Sequence, residues 1–507
     1  MNLVNFVFQA AAELDRWSEP AVLHEAGIVT YRELFESVRA CGGMFRALGV
    51  QTGDRIGIAA LDCPEFIISF LGSAAIGAVA VPASTMLSAS ELGYIFHHSA
   101  VKLAVITADQ LDRIREVRSG LGALETVLLV DGQSEDSLDF SEVLSQSDPV
   151  GVEPADDESA AFILYTSGTT GPPKGAVHIH RSLPHTVRTY CSHILQVKPE
   201  DRLFSSSRLF FAYGLGNSLS FPLASGASAI LCKPRPTPPL IAQTFRQYRP
   251  TIFFAVPAAF RALLEYARAG NRLEVDSIQF CVSAGEKLPE RIFHEWREVT
   301  GLDILDGIGS TEMLQMFMSN RKDRIKPGSS GRPFAGYEAK IVDSADNELD
   351  GPGIGNLMVK GASACAGYWK DPEKTAAAMS GDWLRTGDVY RRDEDGDYWF
   401  EGRADDLFKV KGLWVSPVEV EDALLACPEV LEAAVVAGID ADGMNRVVAH
   451  VVARDALSGK NLVATLRGQV SERLPAYKCP EEIHLSGGLP RTATGKLQRF
   501  KLRQTLG

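Results

Sequence analysis

No two cysteines of the sequence stand at C-x-x-C spacing. The eight, Cys41, Cys63, Cys191, Cys232, Cys281, Cys365, Cys427 and Cys479, are scattered through 507 residues. That spacing excludes a zinc ribbon or dithiol redox motif and fits the reduced thiols of a cytoplasmic protein. Basic charge is also in short supply, 51 Lys+Arg against 64 Asp+Glu, for a formal net charge of -13. Such a surface disfavours nonspecific binding to nucleic acid or anionic membrane, which needs a basic face. It does not exclude anionic substrates at a locally positive site. The opening MNLVNFVFQAAAELDRW lacks a basic n-region and meets acids at Glu13 and Asp15, so it does not read as a signal peptide. Uninterrupted apolar runs are lacking too. The one candidate, 25 charge-free residues from Phe66 to Ser90, is broken by Gly72, Gly77, Pro82 and several serines. A spanning helix needs about 20 mostly apolar residues, so this run predicts a buried helix over FIISFLGSAAIG followed by a buried strand over AVAVP. There is no short-period repeat and no low-complexity tract.

What is present is globular. Hydrophobic residues at 45% and charged residues at 23% support large cores, and a chain of this length suggests two to four domains or subdomains. Strand-like runs (RIGIAA, AVAVPA, LAVIT, TVLLVDG) alternate with helix-like ones (EFIISFLGSAA, SASELGYIFHHS, LDRIREVRSGLGAL). The alternation continues through AFILYTSG, IFFAVP, IQFCVSAG and DILDGIG. This predicts an α/β fold with parallel sheets packed between helices. Glycine and proline cluster at 168–175, 233–239, 326–333 and 350–355, and the region 334–402 is richer in strands. After Gly402 the pattern changes to an α+β unit: helix PVEVEDALLAC, strands EAAVVAG and NRVVAHVVA, helix NLVATLRGQVSERL. The expected organisation is a large N-terminal domain, 1–402, of layered parallel-sheet subdomains plus a β-rich subdomain, and a small α+β C-terminal domain, 403–507.

The strongest chemical signal is Tyr165-Thr166-Ser167-Gly168-Thr169-Thr170-Gly171-Pro172-Pro173-Lys174-Gly175, directly after the apolar run AAFILY. Its glycines permit tight curvature, hydroxyls and backbone N–H groups can wrap phosphate oxygens, and Lys174 adds positive charge. The Walker A pattern cannot be fitted to it. By composition alone, a Ser/Thr/Gly surface loop is an equal alternative.

The order of residues in that loop resembles the phosphate-binding loop of the adenylate-forming superfamily, which includes acyl-CoA synthetases, luciferases and adenylation domains. Other landmarks of the family follow in order across nearly the whole chain. They are Ser283-Ala284-Gly285-Glu286, Asp306-Gly307-Ile308-Gly309-Ser310-Thr311-Glu312, Arg385-Thr386-Gly387-Asp388, Gly402-Arg403-Ala404-Asp405-Asp406 and Pro490-Arg491-Thr492-Ala493-Thr494-Gly495-Lys496. Each is weak alone; six in order are specific.

The resemblance implies ATP, Mg²⁺ and coenzyme A as cofactor and co-substrates. The nucleotide would be bound by Thr166, Ser167, Gly168, Thr169, Thr170, Gly171 and Lys174. Gly285, Glu286, Lys287, Asp306, Gly307 and Ile308 would surround the adenine side, and Asp388 with Arg403 the ribose. Thr311 would donate to the α-phosphate, Glu312 would hold Mg²⁺, and Lys496 would bridge the acid carboxylate and the phosphate. Asp405 would be the hinge about which a mobile C-terminal domain turns between half-reactions. Lys411, Gly412, Leu413 and Trp414 would line the entry of the thiol. Plainer alternatives are a helix-start acid for Glu312, a turn residue for Asp388 and a frayed-end lysine for Lys496.

LFFAYGLGN, with DGIGSTEM and NRKDRIKPGSSGRPFAGYEAKIVD, resembles the benzoate–CoA ligase branch. This places an aryl carboxylate against Phe211, Ala212, Tyr213, Gly214, Gly307, Gly309 and Gln315. That branch commonly has His and Ile where this chain has Gln315 and Met316, and an acid at the position of Asn356. The implied activity is aryl acid–CoA ligation through an acyl-AMP. Alternatives are transfer of the acyl group to a carrier protein and a nonenzymatic nucleotide sensor. The protein partners the resemblance admits are a second copy in a homodimer and a lysine acetyltransferase acting on Lys496.

Overall fold

The computed structural model describes residues 1–166, 172–440, 443–454, 459–491 and 497–505. The Phe66–Ser90 run lies in a helix, Pro64–Ala75, buried at every position but Glu65, and a buried strand, Val79–Pro82, joined at Gly77, whose φ is +67°. Ser88 and Glu91 then cap the helix Ala89–Ser99 reciprocally, satisfying N–H groups that have no partner inside a helix. Among the described residues no helix is long and apolar enough to cross a membrane. All eight cysteines are free thiols.

The chain divides into two compact units, Met1–Glu338 with Val359–Leu384, and Ala339–Met358 with Arg385–Gly507. The first contains two large mixed sheets. One has the order Gly367–Tyr368, Lys174–Ile179, Ala160–Thr166, Val79–Pro82, Arg55–Ala59, Val101–Ile106, Thr126–Leu129, Leu138–Asp139. Its strands from Ala160–Thr166 onward are parallel neighbours, and antiparallel pairs close the other edge. The second has nine strands, with Ile304–Gly309, Phe280–Ser283, Ile252–Ala255, Arg202–Ser205 and Ser228–Ile230 as a parallel centre. Parallel strands are buried on both faces and read as continuous apolar runs, as IFFA and FCVS do. Phe204, Phe253, Phe260, Phe293 and Trp296 fill the layer beside it, each large buried side chain contributing about 1.5–3 kcal/mol of burial.

The strand-rich expectation for 334–402 is met by Tyr337–Val342, Gly353–Gly361, Trp383–Arg392 and Tyr398–Arg403. In the second unit, Val430–Ile439, Asn445–Ala453 and Glu482–Leu485 form a three-stranded sheet, antiparallel then parallel. The helices Pro417–Leu425 and Gly459–Arg473 accompany it, and Val420, Leu424, Leu462, Leu466 and Val470 join its core.

Candidate active site

The phosphate-loop motif sits between two paired strands. Thr166 ends Ala160–Thr166, Lys174 begins Lys174–Ile179, and the two residues face each other in antiparallel register. Ser167, Gly168, Thr169, Thr170 and Gly171 lie outside the described residues. Packing is tight where the second strand begins: a Cβ on Gly175 would meet Ile163 and Tyr165 within 2.9 Å.

The central motif forms the end of strand Ile304–Gly309 and the turn after it. Gly307 and Gly309 have a packing reason to be glycine, since a Cβ would strike the Met318 and Gln315 carbonyl oxygens at 2.5 and 2.6 Å. Thr311 and Glu312 then lie in a tight turn, with Leu314 at φ +66°. Glu312 therefore does not start a helix. Its Oε1 accepts the Tyr368 hydroxyl at 2.8 Å, and its backbone carbonyl accepts the Cys365 N–H at 2.7 Å. A half-buried carboxylate so oriented is a suitable hard-oxygen ligand for Mg²⁺.

Thr311 is held from behind. The His178 Nε2 lies 2.8 Å from the Thr311 carbonyl oxygen, and the imidazole stacks on Phe162 with ring centroids 5.0 Å apart. Burial pulls this imidazole down to about 4, against the Thr311 hydrogen bond. It is neutral at pH 7, and the acceptor on Thr311 requires Nε2 to carry the proton. Neither His178 nor Tyr368 was a sequence-predicted site residue. The only sequence signal for His178 is a polar residue on an otherwise apolar strand, GAVHI.

Asp306 is placed with its side chain in the core, 4% exposed. Burial pushes its carboxyl from 3.8 up to about 8, while Ser283, the Leu288 and Gly307 amides and Lys287 act in the opposite direction. Between about pH 4 and 8 the folded state keeps a proton that the unfolded state has lost, so this group costs stability as pH rises through that window. Asp306→Asn should remove the effect. Melting curves from pH 5 to 9 should show the variant gaining on the native protein as pH rises, and parallel profiles would contradict the assignment.

Of the residues expected beside adenine, Gly285 is exposed with φ +92°, and Glu286 and Lys287 are half-buried on the same connection. Ile308 is half-buried on its strand.

The expected acid-binding segment is helical. Phe211 precedes a short turn, Ala212–Leu215, which continues into Gly216–Ser220. Gly214 is obligatory, as a Cβ there would sit 1.9 Å from the Arg208 carbonyl oxygen. The Tyr213 hydroxyl donates to the Val282 carbonyl at 3.1 Å, and Phe210 and Phe211 pack edge to face. Gln315 is buried, its amide nitrogen donating to the Tyr213 carbonyl at 3.0 Å and its amide oxygen accepting the Met316 N–H at 3.1 Å. It thereby fastens the central motif to the expected acid-binding segment. Asp62, also buried, accepts the Leu209 N–H at 3.1 Å and faces Arg208 at 3.7 Å.

In the second unit Asp388 and Arg403 are cross-strand partners, 3.0 Å apart. Asp388 lies within the strand Trp383–Arg392 rather than in a turn. Gly387, at φ +74°, leaves room for the guanidinium, which would lie 2.7 Å from a Cβ. Asp405 is exposed in the turn after Arg403. Lys411 and Gly412, at φ +51° and +83°, form the two-residue connection of the hairpin Phe408–Val410/Leu413–Val415. Positive φ at both positions is the geometry that matches strand twist. Gly412 thus owes its identity to the turn, and no atom lies within 4 Å of its Cβ position. Leu413 and Trp414 are more than half exposed. Lys496 lies outside the described residues; on either side of its segment, Arg491 and Leu497 pair in antiparallel fashion.

Residues 8–369 match the AMP-binding enzyme family, and residues 419–496 match the AMP-binding enzyme C-terminal domain. The chain belongs to this family of adenylate-forming enzymes, and it is an AMP-forming acid–thiol ligase that uses ATP. It is 40% identical over 491 residues to benzoate–CoA ligase of Thauera aromatica, covering 96% of this chain and 93% of that one. The crystal structure of a benzoate CoA ligase from Burkholderia xenovorans LB400 superposes with a TM-score of 0.92 at 36% identity, covering 99% and 100% of the two chains. That of the anthranilate CoA ligase AuaEII in complex with anthranoyl-AMP gives 0.94 at 34%, covering 100% and 97%. Within the family, the chain falls in the benzoate–CoA ligase branch that its motifs resemble.

Proposed function

We propose that the protein joins benzoate or a substituted or heteroaromatic analogue to coenzyme A. The carboxylate attacks the α-phosphate of ATP to give aryl-AMP and pyrophosphate; the CoA thiol then displaces AMP. The observation that carries this reading is the direct fastening of the acid-binding segment to the central motif by Gln315, in a chain resembling aryl–CoA ligases from end to end. Two anions meet in the first step, so the protein must supply positive charge and fixed donors where they react. Lys174 and Lys496 supply charge and Thr311 donates, with its backbone held by His178. Glu312 would hold Mg²⁺, which offsets phosphate charge. Asp388 accepts from the ribose hydroxyls, oriented by Arg403, and Ile308 lies against adenine. In the second step residues 403–507 turn about Asp405 relative to 1–402, exchanging Lys496 for the hairpin Lys411–Trp414.

The free thiols support a cytoplasmic location. The product assay is chromatographic: benzoate, ATP and CoA should yield benzoyl-CoA and AMP in equal amounts. Aryl transfer to a phosphopantetheinyl carrier protein but not to CoA would replace this reading with the carrier alternative. Because Gln315 spends its amide on backbone, Gln315→Ala should raise KM for the acid by about tenfold, the loss of one to two hydrogen bonds, with KM for ATP little changed. An unchanged acid KM would remove Gln315 from the acid site.

A further inference from the structure

Tyr368 belongs to none of the nucleotide, acid or thiol motifs, yet it touches two of them. Its hydroxyl donates to Glu312 Oε1 at 2.8 Å, and the Lys174 Nζ stands 5.2 Å from the centre of its ring. The residue itself is fixed on both sides. Gly367 and Tyr368 pair with Val177 and Ala176 on the strand that Lys174 begins. The Tyr368 N–H donates to Thr375 Oγ1 at 2.9 Å, and the next N–H, of Trp369, donates to the Gly175 carbonyl at 2.7 Å. A glutamate carboxylate rotates freely unless one oxygen is tied, and a tied oxygen leaves the other aimed at a cation. A lysine ammonium on a four-carbon stem is similarly unordered unless something holds it, and an aromatic face attracts it.

We infer that Tyr368 is a positioning residue with two separable tasks: its hydroxyl orients the Glu312 carboxylate toward Mg²⁺, and its ring orients the Lys174 ammonium toward the ATP phosphates. The inference rests on the functional reading above. Phenylalanine keeps the ring and removes the hydroxyl; leucine removes both. The two tasks are read by the calorimetric Kd for ATP, measured without acid or CoA, once in EDTA and once in saturating Mg²⁺. Tyr368→Phe should bind ATP in EDTA within about twofold of the native protein. It should lose about tenfold of the affinity that Mg²⁺ adds, the usual scale for removing a partner of a metal-binding carboxylate. Tyr368→Leu should lose that same increment and also bind about two- to fivefold more weakly in EDTA.

An unchanged Mg²⁺ increment in Tyr368→Phe would overturn the inference. So would equal weakening of this variant with and without Mg²⁺, the mark of general loosening. Binding in EDTA by Tyr368→Leu that matched the native protein would overturn the ring's task, and the phenylalanine variant decides the hydroxyl's task even if the leucine variant fails to fold. Failure of the native protein to bind ATP at all would defeat the functional reading instead, so the two failures are distinguishable.

Discussion

Lys496→Ala should lower aryl-AMP formation by about 10²–10³-fold, the scale for removing one transition-state donor. Thioester formation from supplied aryl-AMP should stay within a few-fold. The first half-reaction brings a carboxylate against a phosphate, and an ammonium between them is worth most where charge density peaks. The second half-reaction has an already neutralised acyl carbon and does not need that charge. The lysine's neighbours are suitably anchored. The Gln498 N–H donates to the Pro490 carbonyl at 2.9 Å, and Arg491 pairs with Glu432 at 3.0 Å. Single-turnover measurement of each half-reaction checks the prediction, and equal loss in both would contradict a role confined to adenylation.

The second large effect concerns Arg499, three residues after Lys496 at the start of the helix Arg499–Gln504. Its Nη2 reaches both Glu421 carboxylate oxygens at 2.8 Å, and its Nη1 lies 3.3 Å from Asp406. Asp406 also takes Arg503, and Glu421 takes the Val435 N–H at 2.7 Å. Burial pushes the Glu421 carboxyl up, and Arg499 is the main group holding it down. Arg499→Ala would leave the buried Glu421 carboxylate without its cation, while Asp406 keeps Arg503, at a cost of about 3–5 kcal/mol. Lysine would restore the charge but not the planar two-toothed contact, so Arg499→Lys should recover part of that loss. Hydrogen exchange on the full chain should show residues 417–505 losing protection in the alanine variant, with aryl-AMP formation falling alongside. Native protection in Arg499→Ala would show that the pairs contribute little.

The local structure was legible because it depends on neighbours. The helix and strand within Phe66–Ser90 follow from period, Gly77 and Pro82, and the family landmarks are contiguous words. The pairings that order the site are not contiguous. Tyr368 meets Glu312 across 56 residues of chain and His178 meets Thr311 across 133, and neither tyrosine nor histidine carries a local signature of such a partner. Glu312 shows the limit from the other direction. S-T-E reads as a helix start by propensity, but the close approach of the strand Met316–Ser319 to Gly307 and Gly309 forces a turn at once. The turn at Gly412 likewise rests on the pairing of Phe408–Val410 with Leu413–Val415, which no contiguous word of sequence shows.

The most direct test of the central claim is ATP–pyrophosphate exchange without CoA, across benzoate, hydroxybenzoates, furoate and straight-chain acids. Exchange driven by the aryl acids, peaking at benzoate or a close analogue and weak with alkyl acids, is the predicted result. Exchange that peaks on alkyl acids, or none with any acid, would contradict an aryl-adenylating site.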